Sequence, residues 1–135
     1  MRAGFILRRI HGIAMYNNQR DLSSMTDEFH FHAYANATLQ HIFDQLEQAY
    51  DDESLEDLDY DEGSGILSIV TPSGQTFIVS KHGPSQQLWL ASPISGGLHA
   101  DFNESEQEWL LPDGRDLKDV LAEDLVTTAG IRIRL

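Results

Sequence analysis

The chain has no cysteine among its 135 residues. Disulfides, thiolate metal centres and cysteine nucleophiles are therefore excluded, and oxygen and imidazole remain as the strong ligand atoms. No apolar run approaches the roughly 20 residues that span a membrane as a helix. Basic residues are scarce: 9 Lys and Arg stand against 22 Asp and Glu, a formal net charge of −13. They are also unevenly placed. Residues 1–24 hold four arginines and one acid, and no lysine or arginine occurs between Met25 and Ser80. A domain so charged repels nucleic acid and anionic membrane, and attracts cations or a basic protein surface. Enzyme signatures are missing too. There is no glycine-rich phosphate loop, no HExxH and no G-x-S-x-G elbow, so a binding protein is expected rather than an enzyme.

What is present is enough for one globular domain, with 41% hydrophobic residues in clearly periodic segments. Residues 1–24 read separately from the rest, as a disordered basic tail or an organelle targeting segment, with Met1, Met15 and Met25 as alternative starts. The domain is expected over 25–135. Thr26 suits a helix N-cap, and Ala35, Leu39, Ile42, Phe43, Leu46 and Tyr50 form one apolar stripe of a helix over about 27–50. Short runs follow at hairpin spacing: 57–61, ILSIVT, QTFIVS, 87–91, 98–102 and 108–111, with Lys81–Ser85 as a loop. Asp116 caps a second helix carrying Leu117, Val120, Leu121 and Leu125, and Gly130 ends it. The tail 131–135 alternates and can lie extended on apolar surface. Strands joined by short turns are antiparallel. The expected fold is therefore α+β: a two-layer sandwich with an antiparallel sheet of five to seven strands, both helices on one face and the other face open.

Two stretches carry chemistry. Between Asp44 and Glu62 lie ten carboxylates and no basic residue. Helix spacing puts Glu47 and Asp51 on one face, and strand alternation puts Asp57, Asp59 and Asp61 together. If the helix end and the first strand are neighbours, the acids form a ridge. Carboxylates suit hard cations, but calcium-loop spacing is absent, so exposed, weak, multi-ion binding is expected, with a solvated acidic face as the plain alternative. The second stretch is QQLWLASPISGGLHADF, residues 86–102. Alternation puts Leu88 and Leu90 on one sheet face and Gln87 and Trp89 on the other, where Trp89 either packs under a loop or touches a partner.

The residues of these stretches resemble those of the frataxin family, the bacterial CyaY-type proteins and their mitochondrial relatives. The resemblance rests on Phe29-His30 and the acidic end of the first helix, on DLDYDEGSGIL, on QLWLASPISGG followed by His99 and Asp101, and on Trp109 with the Asp113-Gly114 turn. It covers about residues 26–127. It implies iron, ferrous or ferric, held weakly through Glu47, Asp51, Asp52, Asp57, Asp59 and Asp61, with His30 as a further metal contact. It implies a partner-binding face with Gln87, Trp89 and His99, and as partners a cysteine desulfurase and an iron–sulfur scaffold protein. The implied role is iron donor or desulfurase regulator in cluster assembly; a purely electrostatic adaptor and a weak ferroxidase are the alternatives. A monomer is expected, with iron-induced oligomers. The bacterial look of Ser85 and His99 favours the cytoplasm, and the arginine-rich start leaves the mitochondrial matrix as the alternative.

Overall fold

A computed structural model describes the backbone from Gly4 to Leu135 and the side chains from Asp27 onward. Helix α1 (Gly4–Asp51) is followed by six strands, β1 (Asp57–Asp61), β2 (Ile66–Val70), β3 (Thr76–His82), β4 (Gln87–Ser92), β5 (Gly96–Asn103) and β6 (Glu108–Leu110), and by helix α2 (Leu117–Ala129). The strands pair in chain order, each antiparallel to the next. This is the expected α+β sandwich: both helices cover one face of the sheet.

Alternation decides which side chains meet the helices. Leu67 and Ile69, Phe77 and Val79, Leu88 and Leu90, Ala100 and Trp109 are buried on the inner face. From α1 come Phe31, Ala35, Leu39, Ile42, Leu46 and Ala49, at helical spacings of three and four. From α2 come Leu117, Val120, Leu121 and Leu125. Asp116 accepts the Lys118 N–H at 2.7 Å, and Gly130, at φ 68°, closes the helix as its N–H meets the Val126 carbonyl. The tail packs as expected. Ile131 is buried, Ile133 and Leu135 lie against the core, and a ring nitrogen of His41 meets the Leu135 carbonyl at 2.8 Å.

Three local expectations are corrected. Helix α1 does not start at a Thr26 cap: its backbone is already helical from Gly4, because no proline stops it upstream. Tyr50 is 43% exposed and Ala49 takes its place in the stripe. A residue every 3.6 drifts around the axis, and at this end the sheet lies under position 49. Phe31, upstream of the expected stripe, also enters the core, while Phe29 is 54% exposed. Lys81 and His82 belong to β3 rather than to a loop, paired with Leu88 and Gln87. The reading of residues 1–24 as a tail or targeting segment concerns side chains outside the described residues.

Candidate functional site

The acids gather where α1 meets the sheet edge. Helix α1 ends at Asp51, buried Leu55 anchors the turn, and β1 begins at Asp57 as an edge strand. Leu58 and Tyr60 point inward, with the Tyr60 ring 6.0 Å from that of Phe43 on α1. Burial, and then the charge of Glu62, push the Tyr60 phenol above its ordinary range, and its hydroxyl is buried without a partner. Asp57, Asp59 and Asp61 are therefore exposed on the opposite face. Glu47, Asp51 and Asp52 are exposed on the helix side. The carboxylates flank the β1 edge from two directions rather than lining one plane.

Little neutralises them. Asp52 accepts from the Ser54 hydroxyl at 2.8 Å and Asp61 from the Gly63 N–H at 3.1 Å. Among the described residues, Glu47, Asp51, Asp57 and Asp59 have no side-chain partner, and the one ion pair is Arg115–Asp113 at 2.9 Å on an exposed turn. Lys81, the sole cation of the sequence between residues 25 and 114, turns toward α1 and meets His32 Nδ1 at 3.2 Å. No three His, Asp or Glu side chains among the described residues converge on a point that would hold an ion. The edge is an open field of negative charge.

His30 lies elsewhere. It is 17 residues before Glu47, roughly 25 Å along the helix at 1.5 Å per residue. It lines a cleft of about 360 Å³ with Tyr34, Ser85, Asp101 and Phe102, and its Nε2 is buried without a partner. It is not brought to the acidic edge.

The outer sheet face carries the second group. Gln87 and Trp89 lie on it as alternation predicts, in register with Asp101 and His99. The Trp89 indole is sandwiched between two imidazoles. His82 stacks at 3.8 Å with 12° between planes, and His99 at 4.1 Å with 11°. A polar chain holds this ladder. Trp89 Nε1 donates to Gln87 Oε1 at 3.0 Å, and Gln87 Nε2 donates to Asp101 Oδ1 at 3.2 Å. The Ser85 hydroxyl donates to Gln87 Oε1 at 3.0 Å, so its oxygen accepts from His82 Nδ1 at 2.7 Å. The adjacent Gln86 sits at φ 54°, a conformation that side chains rarely adopt and that this turn imposes. Farther along the face, Ile66 and Ile78 are 42% and 37% exposed. His82, Ser85 and Asp101 were absent from the predicted set. Extending β3 by two residues would have revealed His82, since it then falls on the face of Ile78 and Ser80.

A family model for the frataxin-like domain matches residues 24–131. The chain is 37% identical over 112 residues to an iron–sulfur cluster assembly protein CyaY of Neisseria meningitidis, covering 82% of this chain and 97% of that one. It is 30% identical to a mitochondrial frataxin of Arabidopsis thaliana, covering 85% of this chain and 62% of that protein's length. Among solved structures it superposes on a Psychromonas ingrahamii frataxin with a TM-score of 0.67 at 20% identity, over 78% of this chain and 94% of that one, a likeness of fold. It also superposes on trimeric frataxin from Saccharomyces cerevisiae complexed with ferrous iron, with a TM-score of 0.61 at 28% identity, over 73% of this chain and 87% of that one.

Proposed function

The chain belongs to the frataxin family, and from that premise we propose that it works in iron–sulfur cluster assembly, as an iron-binding protein that delivers iron or tunes the cysteine desulfurase. The observation that carries this reading is the open acidic edge. Exposed, unpaired carboxylates on two sides of β1 hold cations weakly and release them readily, as a carrier requires, whereas a closed cage would retain them. Iron is the cargo here, and Glu47, Asp51, Asp52, Asp57, Asp59 and Asp61 are its proposed contacts. The outer face, with Gln87, Trp89 and His99, is the proposed recognition surface for the desulfurase and the scaffold protein. The chain is proposed to be a monomer that associates further with iron, and to be a binding protein rather than a ferroxidase. Its work would lie in the cytoplasm, as the CyaY-like features suggest, with the mitochondrial matrix as the alternative. No helix among the described residues is long and apolar enough to cross a membrane.

Titration with ferrous iron tests the first part. Amide signals of residues 44–61 should broaden or shift, and Asp57→Asn, Asp59→Asn and Asp61→Asn together should weaken the response several-fold. Unchanged signals at millimolar iron would rule out the carboxylates as contacts. Glu47→Gln with Asp51→Asn carries a signature of opposite sign. The pair is a like-charge i, i+4 contact, so its removal should raise stability by about 0.2–0.5 kcal/mol while weakening iron binding.

The recognition surface has its own test. Trp89→Ala should weaken desulfurase binding by about 30-fold or more, the scale of a tryptophan at the centre of an interface. Trp89 lies on the outer face, so the fold should survive. Undiminished binding by the folded variant would remove this face from the interface.

A further inference from the structure

Building on the recognition surface assigned above, we propose that His82 completes it, and that this face accepts its partner only while His82 and His99 are both neutral. The geometry sets the terms. Both faces of the Trp89 indole are already covered, at 3.8 and 4.1 Å, so no partner can stack on the ring. A partner meets three ring edges at once, and docking buries both imidazoles with the indole. Histidine is the side chain whose ordinary titration falls between pH 5 and 8. Burying a charged imidazole in an interface is costly without a counter-charge, so docking favours the neutral form and expels protons.

The charged groups around the ladder are few and lie at its margins. On the same face, Asp101 of β5 is tied to Gln87, and Glu108 of β6 lies in register with Asn103 beyond it. Across the sheet, Ile66 and Ser80 separate Trp89 from Asp61, and Ser68 and Ile78 separate Ala91 from Asp59, with Asp57 at the far end of β1. Lys81 points to the opposite face and is engaged by His32. The centre, with Ile66, Val70, Ile78 and the three rings, carries no other charge. Such a surface fits a protein with an apolar centre and a basic rim. The rim would oppose Asp57, Asp59 and Asp61 on one side and Asp101 on the other. Two imidazolium groups would repel that rim and oppose desolvation of the centre.

Two measurements test this. The first follows the Trp89 indole N–H signal, assigned with Trp89→Phe, from about pH 8 to about pH 5.5. It should move with pH in the native protein and stay fixed in His82→Gln/His99→Gln. The second follows binding to the desulfurase. Affinity should fall about tenfold or more between about pH 7.5 and 5.5 in the native protein and should be nearly flat in the double variant. A static indole signal, or a pH-dependent loss of affinity that survives in the double variant, overturns the proposal. Absence of binding at both pH values refutes the desulfurase assignment instead, and the indole signal then decides whether the ladder takes up protons.

Discussion

Trp109→Ala is expected to cost about 3–5 kcal/mol, most of the stability that a small domain possesses. Among the described residues, Trp109 is the largest fully buried side chain, and it is the main contribution of β6 to the core. Its ring meets Phe102 edge-on at 5.0 Å and Phe31 at 6.0 Å, so it joins β5 to α1 as well as filling volume. The indole N–H donates to Thr38 Oγ1 at 2.9 Å, and truncation leaves that hydroxyl without its partner. The loss thus combines a cavity, aromatic contacts and an orphaned polar atom. Chemical denaturation gives the measure. Trp109→Phe should recover much of the packing but not the hydrogen bond. A loss below about 2 kcal/mol for the alanine variant would mean that the core collapses around the gap.

Asp124→Ala should cost about 2–4 kcal/mol, through a different mechanism. Asp124 is a buried carboxylate of α2, 6% exposed. Its Oδ2 accepts from the Ser92 hydroxyl at 2.7 Å and the Ser95 hydroxyl at 2.6 Å. Ser92 Oγ accepts in turn from the Ile94 and Ser95 N–H groups at 3.0 and 3.1 Å. One carboxylate therefore organises the whole β4–β5 turn and pins α2 to it. Removing it leaves the buried Ser92 hydroxyl and the half-buried Ser95 hydroxyl without an acceptor. Removing all the partners together should cost less than the sum of the single changes, because carboxylate and hydroxyls no longer leave one another unsatisfied and only the Ile94 and Ser95 N–H groups lose their acceptor. A cycle of Ser92→Ala, Ser95→Ala and Asp124→Ala measures this coupling, and strict additivity would show that the three do not act as a unit.

The fold was legible because each strand states its own inward face. Leu88 and Leu90, Phe77 and Val79, and Leu67 and Ile69 alternate without exception, and turn residues separate the runs. The cap and stop of α2 were legible for the same reason, since Asp116 and Gly130 act on neighbours in sequence. Periodicity could not locate the start of α1, because helical spacing continues wherever nothing breaks it. The exposure of Phe29 rather than Phe31 depends on where the sheet lies under the helix, which no local pattern encodes.

The site divides along the same line. The carboxylates were visible as composition, and their alternation in β1 followed from strand geometry. That they wrap an edge, with Glu47 and Asp51 on one side and Asp59 on the other, required knowing that β1 is the outermost strand. Trp89 was visible as an outer-face residue, but its flanking imidazoles come from β3 and β5. His82 escaped notice because Gly83 and Pro84 suggested that the loop began two residues too early. Neither His32 nor Lys81 announced the contact between them, which spans 49 positions in the chain.

Because the sheet order equals the chain order, every strand pairing closes a short loop, and the entropy of closure is small at each step. The long closures lie elsewhere. Trp109 reaches Thr38 across 71 positions, and Leu135 reaches His41 across 94. Contact order is therefore low within the meander and high at these two clasps, where helix α1 joins β6 and the chain's last residues. The meander is thus built from short closures, while α1 is joined to β6 and to residues 131–135 across far longer spans, and Trp109 sits at the first of these joins.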